Sequence, residues 1–364
     1  MQKAFLVLED GQYFEGISFG ANTNKVGETV FNTSISGYQE ILTDPSYKDQ
    51  IITLTYPMIG NYGTNSEDME SKKIYAQGLV VKEYVENYSN FRATQNLSAF
   101  LKEHNTPGIS GIDTRKLTRI LRSKGASKGG VFIADAFSES LVKEVNAWAG
   151  IVGSDLAKIV STNESYVFGT HSPSKINLAV FDYGVKRNIL KILDEKGFNV
   201  HVFPALTKVE ELLEKGFGAF FMSNGPGDPE PLTYAITNAK TLIQKKVPLF
   251  GICLGHQIIG QALGMKTGKL KFGHRGGNHP VQNNRDGKVE ITAQNHGFVV
   301  LGDDDNPLIT HMNIFDHTIA GLKSEEAQVM SVQYHPESSP GPHDSHYLFD
   351  EFYSMAKNYQ TRGK

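Results

Sequence analysis

Cysteine is nearly missing from this chain of 364 residues, which contains Cys253 and no other. A single cysteine excludes an intrachain disulfide and fits a reducing compartment. It also excludes zinc sites built from paired cysteines, and the 12 histidines contain no H-E-x-x-H pair, so we expect no metal site. Two roles are left for Cys253, that of a small buried hydrophobe and that of a chemically active thiol.

The sequence also lacks long apolar runs and an excess of charge of either sign. No stretch approaches the roughly 20 apolar residues that a membrane span needs, and the apolar part of the first ten residues is too short for a signal peptide. The formal net charge of -3 and the isoelectric point near 6.5 give no electrostatic reason to bind nucleic acid or an anionic membrane. We therefore expect a cytoplasmic protein with neither kind of partner.

The first part of the chain has short strand-like segments bordered by glycine or proline, without clear βαβ repetition. The segments that we predict as strands are residues 4–8, 13–19 and 50–54, and the predicted helices are residues 97–103 and 113–124. Asp113 is a plausible N-cap of the second helix, because apolar residues line one face after it. These patterns predict a mixed α/β domain over residues 1–150.

The pattern changes after a polar and irregular stretch, residues 151–175, which we interpret as a connection between domains. From residue 176 onward, apolar strand-like runs and helical segments alternate four times. This alternation is typical of an open, mostly parallel sheet flanked by helices. We therefore predict a second α/β domain over residues 176–364, whose ligands bind at the carboxyl ends of its strands.

Cys253 lies where a predicted buried strand, residues 247–252, meets a predicted helix, residues 254–263. Gly251 and Gly255 flank it, so the backbone can turn sharply and a substrate can approach. Backbone N–H groups and the helix dipole stabilise a thiolate at such a turn. The layout is that of a nucleophile elbow with cysteine in place of serine. From this segment alone, a nucleophile and a core cysteine remain equally open.

A cysteine nucleophile needs a base, and the base needs a group that orients it. A predicted strand covers residues 329–334, and His335, Pro336 and Glu337 follow it directly. Side chains two residues apart in an extended segment face the same side, so Glu337 can hold His335 while it accepts a thiol proton. The alternative is that the His-Pro-Glu segment forms a surface turn without a catalytic role. His256, one helical turn after Cys253, is a rival base, although its placement suggests a supporting role.

Three motifs that occur in the order Gly-Pro-Gly loop, cysteine turn and histidine strand resemble the class I (triad) glutamine amidotransferases. They are Asn-Gly-Pro-Gly-Asp-Pro (224–229), Gly-Ile-Cys-Leu-Gly-His-Gln (251–257) and His-Pro-Glu (335–337). Further segments are similar to the small subunits of carbamoyl phosphate synthetases, so that the resemblance spans essentially the whole chain. These segments are residues 27–47, 53–57, 60–61, 112–118, 271–280 and 292–298.

The resemblance implies a catalytic triad in which Cys253 attacks the γ-amide carbon of glutamine, His335 moves the proton and Glu337 orients His335. It implies an oxyanion hole formed by the backbone N–H groups of Leu254 and Gly225. The glutamine-binding positions that it implies are Ser46, Gly225, Gly227, Leu254, Gln257, Asn295, Gly297 and Phe298.

The resemblance also implies a heterodimer with a large synthetase subunit that docks on residues 1–150. ATP and magnesium would bind the large subunit, which would receive ammonia through an internal tunnel and make carbamoyl phosphate for arginine and pyrimidine synthesis. We therefore expect no cofactor in this chain, which has no G-x-x-x-x-G-K-[ST] motif. Two alternatives stay open: a free-standing cysteine hydrolase of γ-glutamyl or peptide bonds, and a catalytically inactive regulatory or scaffold subunit.

Overall fold

The structure is a computed structural model that describes residues 2–303 and 305–362. These residues divide into two compact units. The first unit contains Met1–Val152 together with Lys271–Arg275, and the second contains Gly153–Leu270 together with Gly276–Lys364. Five residues from the later part of the chain therefore belong to the first unit. Among the described residues, every helix is too short or too polar to span a lipid bilayer.

The first unit is built on a closed barrel of strands in the order β1–β2–β8–β6–β4–β3–β9, beside a small two-stranded sheet of β5 and β7. Its strands are β1 (Lys3–Leu8), β2 (Tyr13–Gly20), β3 (Lys25–Asn32), β4 (Gln50–Leu54), β5 (Met58–Ile59), β6 (Gly78–Val80), β7 (Glu83–Tyr84), β8 (Pro107–Ser110) and β9 (Ser127–Ile133). Its helices are α1 (Tyr38–Thr43), a short 3₁₀ helix (Pro45–Tyr47), α2 (Leu97–Glu103), α3 (Thr114–Lys124) and α4 (Glu139–Ala147).

The predicted elements of the first unit are present, and the mixed α/β character is confirmed. The N-cap predicted for α3 is also present, because Asp113 accepts a hydrogen bond from the backbone N–H of Lys116 at 2.9 Å. Leu117 and Leu121 lie one turn apart on the buried face of that helix and pack into the core around the barrel strands.

The second unit contains a ten-stranded sheet in the order β10–β12–β11–β13–β14–β19–β18–β17–β15–β16. Its strands are β10 (Tyr166–Phe168), β11 (Ile176–Asp182), β12 (Phe198–Pro204), β13 (Ala219–Met222), β14 (Leu249–Ile252), β15 (Lys266–Asn283), β16 (Val289–Leu301), β17 (Ile309–Asn313), β18 (Ile319–Ser324) and β19 (Val329–Val332). Its helices are α5 (Ala157–Val160), α6 (Arg187–Glu195), α7 (Val209–Glu214), α8 (Thr233–Gln244), α9 (Leu254–Ala262) and α10 (Tyr347–Arg362).

Parallel pairing runs without interruption from β12 through β11, β13 and β14 to β19. The central strands are buried on both faces, as parallel strands usually are, which explains their continuous apolar sequences. Side chains of β11 alternate between two cores: Leu178 and Val180 pack with α6 and α10, whereas Ala179 and Phe181 pack with α7, α8 and α9. The predicted open sheet flanked by helices is confirmed, and antiparallel strands extend it beyond β19.

The stretch predicted as a connection, residues 151–175, contains α5 and β10. β10 pairs antiparallel with β12 at the edge of the sheet. Each of these two elements is only three or four residues long, which is too short for a period of 2 or 3.6 residues to be recognised in the sequence.

Candidate active site

Three chain segments meet at one edge of the sheet in the second unit. Because β13, β14 and β19 are parallel neighbours, their carboxyl ends lie at the same edge. The loop that begins at Ser223 follows β13, Cys253 directly follows β14, and His335 lies three residues after the end of β19. The pairing of Ile252 with Val332 sets the last two segments side by side.

Cys253 forms the sharp turn between β14 and α9. Its backbone has φ +54° and ψ -100°, a conformation that L residues rarely adopt. The Cys253 N–H donates to the carbonyl of Val332 at 2.9 Å, and the Cys253 carbonyl accepts from the N–H of Gln257 at 3.2 Å. The side chain is buried at the N-terminal end of α9, where the helix dipole favours a negatively charged sulfur. The predicted elbow geometry is therefore present.

Two glycines let the neighbouring backbone come close to this turn. A Cβ atom on Gly255 would lie 2.1 Å from the carbonyl oxygen of Met222, and one on Gly225 would lie 2.2 Å from the carbonyl oxygen of Tyr183. The same Cβ on Gly225 would lie 2.7 Å from a methyl carbon of Leu254. The Gly-Pro-Gly loop thus packs against the residue that follows Cys253, so the two proposed oxyanion donors belong to adjoining segments.

His335 and Glu337 form a buried pair beside Cys253. Nδ1 of His335 lies 2.6 Å from Oε1 of Glu337, and both side chains are nearly inaccessible to solvent. The His335 N–H donates to the carbonyl of Ala293 at 2.8 Å, which fixes the backbone of this segment against β16. With Nδ1 directed at the carboxylate, Nε2 has no hydrogen-bond partner among the described residues. Nε2 is therefore the nitrogen that is left to exchange a proton with the thiol.

Charges inside the site shift the pKa values of this pair in opposite directions. Burial alone would lower the pKa of His335, but the negative charge of Glu337 and the nearby Cys253 side chain hold it well above its ordinary value. Burial alone would raise the pKa of Glu337, but the positive charges of Lys186 and His335 lower it to about 2. The arrangement can therefore hold a protonated His335 beside Cys253, which is the pairing of base and nucleophile that cysteine catalysis requires.

Three of the predicted glutamine-binding residues connect α9 to β16. Nε2 of Gln257 donates to the carbonyl of Phe298 at 2.8 Å, and it also lies 3.2 Å from Oε1 of Gln333. The Cys253 thiol lies 3.5 Å from the carbonyl of Asn295. Gln257, Asn295 and Phe298 therefore lie around the same turn, and β16 runs past Cys253.

The other predicted contacts divide between the two units. Gly227 lies in the loop after β13 with φ +86°, Gly297 lies in β16, and Leu254 is the first residue of α9. Ser46 belongs to the first unit, where it forms part of the 3₁₀ helix and its N–H donates to Oδ1 of Asp44 at 2.9 Å. Its contact with glutamine stays a prediction, as do the other members of this set.

His256, the rival base, has its Nδ1 2.9 Å from Oγ of Ser331. It is fully buried, and burial followed by the charge of His311 lowers its pKa to about 3. An imidazole that binds protons so weakly does not serve as a base for a thiol near neutral pH, so the structure favours His335. Within residues 2–303 and 305–362, no group of three or more His, Cys, Asp or Glu side chains is placed to hold a metal ion.

Comparison with known proteins connects this geometry to a family. Residues 6–131 match the model of the carbamoyl-phosphate synthase small chain, CPSase domain, and residues 179–355 match that of the class-I glutamine amidotransferases. The chain is 49% identical to the carbamoyl phosphate synthase small chain of Vibrio cholerae serotype O1, over 99% of this chain and 100% of that protein. The corresponding proteins of Syntrophotalea carbinolica and Escherichia coli K12 are 48% and 47% identical, over at least 99% of each chain.

The chain belongs to the carbamoyl phosphate synthase small chain family. The family predicted from the motifs is therefore confirmed, and the match at 179–355 agrees with the α/β fold of the second unit. Sequence reasoning missed two residues that contact Glu337, a member of the predicted triad. Nζ of Lys186 lies 2.9 Å from Oε1 of Glu337, and Nδ2 of Asn188 donates to the carbonyl of Glu337 at 2.6 Å. Both follow the carboxyl end of β11, a position at which functional side chains are expected in such sheets.

Proposed function

We propose that this chain hydrolyses L-glutamine and delivers the ammonia to the large chain of carbamoyl phosphate synthase. The observation that carries the proposal is the buried pair of His335 and Glu337 beside the elbow of Cys253, in a chain of the carbamoyl phosphate synthase small chain family. A thiol, a base and an orienting carboxylate are the parts that acyl transfer through a thioester requires.

In the first half of the reaction, the sulfur of Cys253 forms a bond to the γ-amide carbon of glutamine while its proton is held by Nε2 of His335. The carbonyl oxygen becomes an oxyanion, which the backbone N–H groups of Leu254 and Gly225 stabilise. His335 then gives the proton to the amide nitrogen, the carbon–nitrogen bond breaks, and ammonia leaves. The acyl group remains on Cys253 as a thioester.

In the second half, a water molecule attacks the thioester carbon while His335 accepts a proton from it. A second tetrahedral oxyanion forms in the same hole and collapses, which breaks the carbon–sulfur bond and releases glutamate. His335 returns the proton to the sulfur. Glu337 keeps Nδ1 of His335 in one orientation throughout and stabilises the imidazolium each time it forms.

The substrate would be held by Ser46, Gln257, Asn295 and Phe298 together with the backbone of Gly225, Gly227, Leu254 and Gly297. Gln257 has the best structural support, since it lies one helical turn after Cys253 and is fixed by the carbonyl of Phe298. We assign ATP and magnesium to the large chain. The reaction there would join ammonia and bicarbonate into carbamoyl phosphate for arginine and pyrimidine synthesis, in the cytoplasm and in a complex that contains both chains.

The deciding experiment compares glutamine hydrolysis by the purified chain alone with hydrolysis in the presence of a carbamoyl phosphate synthase large chain, ATP and bicarbonate. We expect low hydrolysis alone and a strong rise in the complex. Cys253→Ser should abolish glutamine-dependent synthesis and leave synthesis from free ammonia intact. His335→Asn should form the thioester slowly and block its hydrolysis, because water also needs a base.

Three results would contradict the proposal. High hydrolysis that is indifferent to the large chain would indicate a free-standing cysteine hydrolase. Equal loss of glutamine-dependent and ammonia-dependent synthesis in Cys253→Ser would mean that this residue is structural. A chain that binds the large chain but hydrolyses no glutamine would be a regulatory or scaffold subunit.

A further inference from the structure

The turn that follows His335 contains two successive residues in the left-handed region. Ser338 has φ +63° and Ser339 has φ +60°, although neither is glycine. L residues rarely adopt this region, and a backbone held there persists only where its surroundings fix it firmly. Glu337 directly precedes these two residues, so the direction of its carboxylate depends on the shape of the turn.

Two side chains hold the turn through its carbonyl groups. Nδ2 of Asn188 donates to the carbonyl of Glu337, and Nζ of Lys186 donates to the carbonyl of Ser338, each at 2.6 Å. Within the turn itself, the N–H of Ser338 donates to the carbonyl of His335 at 3.1 Å. Lys186 also contacts the Glu337 carboxylate, so its substitution would change charge and geometry together. The hydrogen bond from Asn188 goes to a main-chain carbonyl, so its loss changes the geometry of the turn without removing a charge.

The helix that contains Asn188, α6, is held in place by the core of the second unit. Asn188 lies in the first turn of α6, which directly follows β11. Four side chains of α6, those of Ile189, Leu190, Ile192 and Leu193, are buried in the core of the second unit. A short hydrogen bond from this helix therefore fixes the Glu337 carbonyl relative to the parallel sheet.

We propose that Asn188 is a positioning residue for the triad: by holding the carbonyl of Glu337, it keeps the left-handed turn in the shape that directs the Glu337 carboxylate at Nδ1 of His335. The proposal rests on the proposed glutaminase function. The hydrogen bond of Asn188 is to the Glu337 carbonyl, not to Cys253 or to a residue assigned to glutamine binding. Its removal should thus affect the chemical steps rather than the affinity for glutamine.

The test is Asn188→Ala in the complete chain, assayed with the large chain, ATP and bicarbonate. Loss of one buried hydrogen bond that acts through orientation should lower kcat for glutamine roughly five- to ten-fold, with KM for glutamine and ammonia-dependent synthesis unchanged. NMR titration of the His335 imidazole in the free chain supplies a readout apart from activity. Its pKa should fall toward the ordinary value, because a misdirected Glu337 carboxylate raises it less.

Two further variants separate positioning from general stability. Asn146→Ala is the matched control, because Asn146 donates from Nδ2 to the carbonyl of Glu9 at 3.1 Å in the first unit. It should change neither kcat nor the His335 titration. Ser339→Gly should restore much of the kcat lost by Asn188→Ala, because glycine adopts φ +60° without strain and the turn then needs less support.

The proposal is overturned if Asn188→Ala keeps the kcat and the His335 titration of the unmodified chain. It is also overturned if kcat falls while the titration is unchanged, or if Ser339→Gly restores nothing. Failure of the proposed function would look different. The unmodified complex would then hydrolyse no glutamine, while the His335 titration would still report whether Asn188 directs Glu337.

Discussion

Cys253 is the proposed nucleophile, and its backbone conformation suits glycine. At φ +54° and ψ -100°, an L residue is strained, and replacing the nucleophile with alanine leaves this strain in place. We therefore predict that Cys253→Gly and Cys253→Ala are both inactive, but that the glycine variant has the higher free energy of unfolding, by roughly 0.5–1 kcal/mol. Urea denaturation of both variants measures the difference.

The matched control for this prediction is Ala99→Gly, at an exposed position in α2. At this helical position alanine should be more stable than glycine, so Ala99→Gly should lower the free energy of unfolding by about 0.5–1 kcal/mol. If Cys253→Gly unfolds more easily than Cys253→Ala, the turn at Cys253 is not strained and its conformation does not lower the stability of the chain.

Lys186 and Glu337 are a buried ion pair, and their effect on stability should depend on pH. The folded-state pKa of Glu337 is about 2, below its ordinary value of 4.5. Its contribution to stability is therefore present above about pH 4.5 and is lost as the pH falls toward 2. Lys186→Met removes the largest favourable charge, so it should destabilise the chain by about 3–5 kcal/mol at pH 7, when the buried and charged Glu337 keeps only His335 as its partner.

As the pH falls below about 4.5, that difference should shrink, because a protonated Glu337 no longer requires a cation. Denaturation by urea at pH 7 and pH 4 tests this. Lys196→Met is the control, since Lys196 forms a more exposed ion pair with Asp350 and should cost about 1 kcal/mol or less. A pH-independent difference between Lys186→Met and the unmodified chain would contradict the assigned charge pairing.

Among the elements, the loop after β13 has little room for a larger residue at Gly225. A Cβ on Gly225 would lie 2.2 Å from the backbone oxygen of Tyr183, which cannot yield as a flexible side chain could. Gly225→Ala should therefore displace the loop and one proposed oxyanion donor. We expect a fall in kcat of about 10²–10³ with the fold retained.

Gly218→Ala is the control for the loop. Its nearest neighbour would be a ring carbon of Tyr359 at 3.7 Å, an ordinary contact, so the variant should keep full activity. Glutamine hydrolysis in the complex measures both variants. Normal kcat in Gly225→Ala would exclude this loop from transition-state stabilisation.

How far the sequence predicts these elements depends on their periodicity. β11, β13 and β14 are continuous apolar runs separated by helical segments, so both their type and their parallel direction could be predicted. The long strands β15 and β16 escaped prediction, because glycine and polar residues interrupt their pattern and long-range pairing fixes them.

The residues of the candidate site also differ in how far the sequence predicts them. Cys253, His335 and Glu337 stand in compact motifs. Their spacing left more than one role open, and the resemblance of the combined motifs to one family is what favoured catalysis. Lys186 and Asn188 follow β11 without any motif, and their contacts with Glu337 arise only when β11 and β19 lie in one sheet. The one feature of the sequence that could have indicated Lys186 and Asn188 is their position after the carboxyl end of a predicted strand.

For the molecule as a whole, truncation can test which of the two units binds the large chain. We predict that a fragment of residues 153–364 no longer co-elutes with the large chain in size-exclusion chromatography, because we propose that the first unit carries the docking surface. Full-length Cys253→Ser is the control and should co-elute normally. Circular dichroism establishes that the fragment is folded, and tight binding by a folded fragment would contradict the assignment.

The contribution of Lys271–Arg275 to the first unit has a consequence for synthesis on the ribosome. The N–H of Thr33 donates to the carbonyl of Arg275 at 3.1 Å, and the rings of Phe31 and Phe272 stack at 5.8 Å, so residues far apart in translation order complete one unit. At about 5–20 residues per second, roughly ten seconds pass between the emergence of residue 152 and that of residue 275. During this interval the nascent barrel leaves Phe31 uncovered by Phe272, and folding of the first unit ends only after the nucleophile of the second has been translated.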